Sequence, residues 1–446
     1  MCPLWKIGES MKKHLLRKPT FVFQPFSKKQ RQVLNWWSKE SPVRDAEGII
    51  ADGAIRSGKT VSMSLSFVMW AMESYDGQNF IMSGKTIGSF TRNVLSPLMP
   101  MLTSRGYQYE HDHTENMLIV SDGEHTNYFY MFGGKDERSQ DLVQGITAAG
   151  AFFDEVALMP ESFVNQATGR CSVDGSKLWF NCNPSTPLHW FKRKWIDKAK
   201  EKGLLYLHFM MDDNLSLSEK IKARYRSLYA GVFFLRYIKG LWAVAEGLIY
   251  PMMTDDNLYT DAERPIALYS TAMRTITVDY GTANPTVFLD VYDDGETVYF
   301  DNEYRWDSRS EEAQRTGKPN KTDAEYADEM LKFIGDEPER MCEIVVDPSA
   351  KSFITELRQR GLYVTEGKND VLDGIRTVSS MLAQGKIKIN KDHCSGTITE
   401  MRTYAWDDKA ALRGEEKPIK TADHGCDALR YYTITKLPEW RRNGGL

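Results

Sequence analysis

Eight consecutive residues, Gly53-Ala54-Ile55-Arg56-Ser57-Gly58-Lys59-Thr60, fit the pattern G-x-x-x-x-G-K-[ST] at every fixed position. A chain of phosphates needs many backbone N–H donors converging on it, and a glycine-rich turn opening a helix packs them closely enough. Gly53 and Gly58 permit the turn. Lys59 reaches the β- and γ-phosphates as a point charge, and Thr60 sets its hydroxyl on the Mg²⁺ that bridges them. With Ser57 in the same loop, the expectation is a site for ATP and Mg²⁺.

A pair of acids downstream suits the same chemistry. The run Ile146-Thr147-Ala148-Ala149-Gly150-Ala151-Phe152-Phe153-Asp154-Glu155 reads as a buried strand ending in two carboxylates. On a parallel strand next to the loop, Asp154 would hold Mg²⁺ through water, and Glu155 would orient or deprotonate the attacking water. A plain strand-end turn also accommodates two acids. Leu178-Trp179-Phe180-Asn181-Cys182-Asn183-Pro184 closes a further apolar strand, so Asn181 and Asn183 either flank the γ-phosphate or form an Asn-Pro turn. Arg56, inside the loop, and Arg170 are the arginines placed to stabilise transition-state charge, although Arg170 serves as well in an ordinary salt bridge. Phe26 and Gln30, upstream, would clasp adenine or line an amphipathic helix.

A second chemistry lies further on. Thr275-Ile276-Thr277-Val278-Asp279 and Cys342-Glu343-Ile344-Val345-Val346-Asp347 are two apolar strands that each end in aspartate. The last helix, Ala422 to Tyr432, puts Asp423 and Asp427 on one face, with His424 beside it. Carboxylates from two strand ends and one late helix provide the hard oxygen ligands of a two-metal phosphodiester-cleaving site, which would take Mg²⁺ or Mn²⁺. Each acid taken singly also reads as a turn or cap residue. Glu110-His111-Asp112-His113 has ligand types as well, but with no further ligand signature nearby it reads first as a hairpin turn.

Positioning these groups requires a particular set of elements. A strand over Gly48-Ile49-Ile50-Ala51, interrupted by Asp52, and a helix from Val61 to Met72 flank the phosphate loop. A helix capped near Ser27 precedes them, within a segment that starts at Thr20. Phe80-Ile81-Met82-Ser83-Gly84-Lys85-Thr86 lacks the leading glycine of a second phosphate loop, so it reads as a strand before a helix from Ile87 to Leu102. Strands follow around Tyr107-Tyr109, Met117-Val120 and Tyr128-Phe132, and a helical pattern runs from Leu215 to Trp242. Gly240, Gly247 and Pro251 interrupt it, placing a boundary there. The expected division is an ATPase domain over 1–245, a linker over 246–265 and a nuclease domain over 266–446.

Composition sets the bounds. A chain of 446 residues suits about two or three domains. Residues 1–250 carry 31 Lys+Arg against 25 Asp+Glu, and the remainder 26 against 36. The acidic second part argues against indiscriminate nucleic-acid binding unless its carboxylates gather metal. The six cysteines, Cys2, Cys171, Cys182, Cys342, Cys394 and Cys426, form no C-x-x-C pair, which fits a reducing cytoplasm. No apolar run approaches the about 18 residues of a membrane span. The basic start (Lys6, Lys12, Lys13, Arg17, Lys18) leads into no signal-peptide core.

With these residues in hand, the chain from about 20 to 435 resembles the large subunit of tailed-phage terminase, in the group that includes prophage-type terminases. The specific parts are Phe153-Asp154-Glu155, Arg170, Asn183-Pro184, His189-Trp190-Phe191 and Asp213-Asn214. They continue through Arg236-Tyr237-Ile238-Lys239-Gly240-Leu241-Trp242, Glu246 to Pro251, Val278-Asp279-Tyr280-Gly281 and Asp423-His424-x-x-Asp427-Ala428. Leu241 departs from the acid that the family usually shows before the tryptophan.

The resemblance implies an α/β chain in which a P-loop ATPase domain of the RecA or helicase-like kind precedes a ribonuclease H-like nuclease domain. It implies that Lys59, Thr60, Asp154 and Glu155 form the ATPase site, and that Asp279, Asp347 and Asp427 are nuclease ligands with His424 auxiliary. It further implies double-stranded DNA, a portal protein and a small terminase subunit as partners. A ring on the portal is expected, with a monomer as the free form, in the host cytoplasm and transiently at the procapsid portal vertex. The rival reading is a helicase-like repair ATPase whose C-terminal domain only binds DNA.

Overall fold

The computed structural model describes residues 21–281, 284–317, 319–335 and 342–438. Thr20, Cys2 and the basic start lie outside the described residues. The chain forms two compact units. One takes the residues through Asp52 with Arg56–Asn183 and Trp190–Ser216; the other takes Gly53–Ile55, Pro184–His189 and the chain from Leu217 onward.

The first unit is built on eight strands: β1 (Gly48–Gly53), β2 (Asn79–Gly84), β3 (Gln108–Asp112), β4 (Met117–Ser121), β5 (Thr126–Gly133), β6 (Gly150–Phe153), β7 (Lys177–Asn181) and β8 (Leu204–Phe209). Their order is β3-β4-β5-β2-β6-β7-β1-β8. The stretch β5-β2-β6-β7-β1 is parallel throughout, and β3-β4-β5 is an antiparallel meander on its edge.

This order corrects one expectation. The strand that ends in Asp154 and Glu155 is not next to the phosphate-loop strand, because β7 lies between them and carries Asn181 and Asn183 into the gap. That strand is also shorter than its apolar run, beginning at Gly150 after an isolated bridge at Ala148. Asp52 does not interrupt β1: it sits fully buried within it, its Oδ1 accepting from Tyr206 Oη and approached by His208 Nδ1, each at 2.8 Å. A buried carboxylate is tolerated in a strand when it is hydrogen-bonded in this way.

One side chain shows how the loop is held over the sheet. Phe67, in the helix Lys59–Ser74, packs its ring 5.8, 6.0, 6.0 and 5.2 Å from Phe80, Phe129, Phe152 and Trp179. Those partners belong to β2, β5, β6 and β7, so one residue registers the helix against four strands. Truncating such a residue costs about 3–5 kcal/mol.

The second unit has strands β9 (Leu258–Tyr259), β10 (Met273–Asp279), β11 (Thr286–Asp293), β12 (Val298–Trp306), β13 (Glu343–Val346), β14 (Val364–Glu366) and β15 (Ile387–Asn390), in the order β14-β13-β10-β11-β12-β15-β9. β10-β11-β12 form an antiparallel meander, and β13 and β14 join β10's far side in parallel. That core, β12-β11-β10-β13-β14, is the ribonuclease H-like order. The parallel pairing matters for chemistry: Val278 registers with Val346, and Asp347 N–H donates to the Val278 carbonyl at 3.1 Å, so Asp279 and Asp347 emerge side by side.

The helical pattern from Leu215 to Trp242 resolves into a helix Glu219–Ser227, capped by Ser218, then a short turn and a wide π-type turn Phe234–Ile238. Gly231 and Gly240, both at positive φ, break it.

Candidate active sites

In the phosphate loop, Gly53 (φ 122) and Gly58 (φ 84) supply the backbone angles that other residues resist. Arg56 also takes a left-handed angle (φ 55); it is exposed, and its carbonyl accepts from Asn214 Nδ2 at 2.7 Å. The helix Lys28–Asn35 forms with Ser27 as cap, and Gln30 Oε1 returns the bond by accepting from Ser27 N–H at 2.9 Å. The amide nitrogen of the same Gln30 lies so close over Gly58 that a Cβ there has no room. Gln30 is therefore both a helix-capping residue and a wall of the loop.

Lys59 is buried, with Nζ 3.2 Å from Ser57 Oγ and 3.2 Å from Asn183 Oδ1. Thr60 Oγ1 donates to Asp154 Oδ1 at 2.9 Å. Asn181 grips the acid pair from both sides: its Nδ2 donates to Asp154 Oδ1 at 2.8 Å and its Oδ1 accepts from Glu155 N–H at 2.9 Å. Glu155 itself sits at φ 57, an angle costly for a residue with a side chain and found where a structure over-determines it. The structure thus brings Ser57, Lys59, Thr60, Asp154 and Glu155 together. It also ties Asn181 to Asp154 and Glu155, and Asn183 to Lys59 and Glu155.

The electrostatics follow from burial. Both carboxyls are raised above their ordinary values, first by desolvation; Glu155 is raised further by the charge of Asp154, and Lys59 pulls both back. The Lys59 ammonium is pushed down by burial against the pull of Glu155. Two acids and one lysine in a dry site are short of positive charge, which Mg²⁺ on the Thr60 and Asp154 oxygens would supply. Arg170 is not part of this group. It caps the helix Glu161–Gly169, and its carbonyl accepts from Ala148 N–H at 2.9 Å. That is the opposite end of β6 from Asp154, about 20 Å away at about 3.3 Å per residue.

The second site is built on the ends of β10 and β13 and on the helix His424–Lys436. Thr277, fully buried in β10, donates Oγ1 to the Ala428 carbonyl at 2.7 Å and so fixes the helix over the strand ends. Asp279 Oδ2 meets His424 Nδ1 at 2.9 Å. Asp347 Oδ1 accepts from Ser349 N–H at 2.9 Å. Asp427 Oδ1 pairs with Arg430 Nη2 at 3.0 Å, and its Oδ2 with Lys420 Nζ at 2.9 Å. Asp423 precedes the helix, with Lys420 Nζ 3.1 Å from its Oδ2.

Asp279 carries the clearest sign of crowding. Burial raises its carboxyl to about 6, the charges of Asp427 and Asp347 add to the rise, and the His424 contact opposes it. His424 is held above the ordinary imidazole value: burial works against its charge, but the hydrogen bond and charge of Asp279 outweigh that. The Tyr431 hydroxyl is raised by burial and then by the charges of Asp279, Asp347 and Asp427. Among the described residues no three such ligand groups already close on a single position. All-oxygen donors that repel one another suit a hard divalent cation.

Sequence reasoning passed over Lys420, Arg430 and Glu400. Arg430 stands three residues after Asp427, a spacing at which charged pairs meet on a helix, and Lys420 stands three before Asp423 in the stretch that leads into it. Glu400 accepts from Gly425 N–H at 2.5 Å and from Arg305 Nη1 at 2.6 Å, capping the helix that bears Asp427 from a distant part of the sequence. Nothing local signals that contact. The His111 and His113 rings lie 3.9 Å apart, between centroids, on the β3–β4 hairpin.

A phosphate loop on a parallel sheet, with a ribonuclease H-like sheet later in the same chain, defines an ATPase joined to a nuclease domain. The family profile described as "Terminase large subunit, T4likevirus-type, N-terminal" matches residues 50–255. The large terminase of a thermophilic bacteriophage is 54% identical, with 92% of this chain and 98% of that chain covered and a TM-score of 0.85. The same phage's large terminase in complex with ADP is 53% identical (92% and 99% covered, TM-score 0.82), and in complex with ATP-gamma-S 52% identical (92% and 99%, TM-score 0.81). The chain belongs to the family of phage large terminases. This kinship does not favour the repair-ATPase reading. Curated proteins give no match. Among the described residues no helix is long and apolar enough to cross a membrane.

Proposed function

We propose that this chain is the motor subunit of phage DNA packaging: ATP hydrolysis in the domain over 1–245 moves double-stranded DNA into a procapsid, and the domain over 266–446 cuts concatemeric DNA with bound divalent metal. The observation that carries the reading is the joint placement of Lys59, Thr60, Asp154 and Glu155 at the carboxyl ends of the central parallel strands. It occurs in a chain 52% identical to a large terminase whose structure holds ATP-gamma-S.

Gly53, Ser57, Gly58 and Lys59 cradle the phosphates, and Thr60 and Asp154 hold Mg²⁺. Glu155 orients or deprotonates the attacking water, and Arg56, on the loop's exposed side, is the arginine for transition-state charge. In the nuclease domain Asp279, Asp347, Asp427 and Asp423 are the ligands for Mg²⁺ or Mn²⁺, two ions in all, with His424 steadying Asp279. When bound, such ions activate water and stabilise the leaving oxygen. The site of work is the host cytoplasm, in a ring on the portal alongside the small terminase subunit, with the free chain a monomer.

The test is a packaging assay with portal-bearing shells, run beside plasmid cleavage in Mn²⁺. Glu155→Ala should abolish ATP turnover and packaging while cleavage survives; Asp279→Ala and Asp347→Ala should do the reverse to cleavage. Cutting at wild-type rates by both aspartate variants would remove the nuclease assignment.

A further inference from the structure

Lys420 stands in an unusual relation to the acids of the second site. Its ammonium is 2.9 Å from Asp427 Oδ2 and 3.1 Å from Asp423 Oδ2. The two carboxylate side chains are 11% and 7% exposed, whereas that of Lys420 is 57% exposed. Asp423 Oδ2 is buried and has the Lys420 ammonium as its ion-pair partner. Lysine offers a compact point charge with no directional fork, which is how a metal ion also meets two carboxylates.

The other cation at Asp427 behaves differently. Arg430 is 1% exposed, serves Oδ1, and is tied by Nη1 to Asn369 Oδ1 at 3.0 Å. It is a fixed part of the helix packing. Lys420 hangs from a stretch without helix or strand, just before Ala422 at φ 52, and its side chain reaches solvent. With its side chain 57% exposed, the lysine can swing away from the two acids by side-chain rotation, without unfolding.

We propose that Lys420 is an exchangeable counter-ion: its ammonium occupies the cation position between Asp423 and Asp427, and a divalent ion entering the nuclease site displaces it into solvent. This rests on the metal-dependent nuclease reading above. A doubly charged ion outcompetes the ammonium at these two buried oxygens, and until it arrives the lysine keeps the acids neutralised. The site therefore needs no metal to fold.

The experiment uses the metal-stripped full-length chain. Mn²⁺ binding is measured by calorimetry for wild type, Lys420→Met, Lys420→Arg and Asp427→Asn, and acetylation of Lys420 by acetic anhydride is followed by mass spectrometry with and without Mn²⁺. Lys420→Met should bind Mn²⁺ about tenfold more tightly, with Lys420→Arg close to wild type. Lys420 acetylation should rise at least about threefold on Mn²⁺ saturation of wild type. In Asp427→Asn it should be fast from the start and insensitive to Mn²⁺. Loss of a nearby positive charge alone would tighten Mn²⁺ binding but leave the acetylation rate unmoved. Wild-type Mn²⁺ binding with unchanged Lys420 acetylation therefore overturns the displacement and leaves the nuclease reading standing. Absence of Mn²⁺ binding in both wild type and Lys420→Met overturns both.

Discussion

Asn183 holds the Glu155 carboxylate by both oxygens, its Nδ2 2.9 Å from Oε1 and 3.0 Å from Oε2, while its Oδ1 takes Lys59 Nζ at 3.2 Å. One amide thus lies between the Lys59 ammonium and the Glu155 carboxylate. Without it, the buried ammonium and carboxylate would be drawn onto each other, and the roles proposed for both would suffer. Asn183→Ala should lower kcat for ATP by about 10–100-fold, the usual cost of losing a group that orients a reacting one, with a smaller change in KM. Steady-state ATPase kinetics decide; turnover within twofold of wild type would show that Asn183 has no such role.

The raised carboxyl of Glu155 predicts the pH profile of the motor. In the role proposed for it Glu155 works ionised, and its folded value lies above the ordinary 4.5 because burial, and then Asp154, disfavour the charge. Activity is therefore lost as pH falls through that raised value, and the acid limb of kcat/KM for ATP should sit well above pH 4.5. Glu155→Gln should leave a low, flat profile. An acid limb at the ordinary glutamate value would contradict the burial seen at this site.

How far the sequence reached depended on the range of each contact. The phosphate loop was legible because all its requirements fall within Gly53 to Thr60, and Asp154, Asp279 and Asp347 were legible as acids closing apolar strands. Strand order was not, since the insertion of β7 between β6 and β1 follows from crossovers that no local pattern records. Asp52 read as a strand breaker because its partners, Tyr206 and His208, lie 154 and 156 residues away. Lys420 and Arg430 had suggestive spacing, but only the fold shows that one is exposed and the other sealed.

Asp279 should cost the metal-free protein stability at neutral pH. Its carboxyl is raised from 3.8 to about 6 in the folded state, so the folded protein binds more protons than the unfolded chain between those values, and stability falls as pH rises through that window. The penalty is complete above about pH 6 and absent below the unfolded value. In EDTA, Asp279→Asn should therefore be more stable than wild type at about pH 8, by up to about 3 kcal/mol, with the gain vanishing near about pH 4. Urea denaturation at both pH values checks this. Mn²⁺ should stabilise wild type and not the variant.

The Thr277 hydroxyl joins the β10 strand to the helix that carries Asp427. Thr277→Val keeps the shape and removes the donor, so stability should drop by about 1 kcal/mol, the net worth of a hydrogen bond. Cleavage should fall more than stability suggests, because the helix loses its register against Asp279, while ATP turnover stays as in wild type. Parallel cleavage and ATPase assays on folded protein separate these effects; an equal loss in both would mean the bond supports folding only.

Arg430 and Lys420 share Asp427 but should answer mutation to different degrees. Arg430 is sealed in the helix packing, so Arg430→Met leaves a carboxylate in a dry site facing Asp279 and Asp347 without its fixed cation. Breaking a buried pair from one side costs about 3–5 kcal/mol, and a large loss of thermal stability is expected. Lys420→Met leaves Asp427 its arginine and strands only the Asp423 carboxylate, so a smaller loss of about 1–3 kcal/mol is expected. Adding Asp427→Asn to Arg430→Met should restore much of the lost stability, since the unpaired charge goes with it. A double variant no more stable than Arg430→Met alone would place the cost in packing around the guanidinium instead of in the stranded charge.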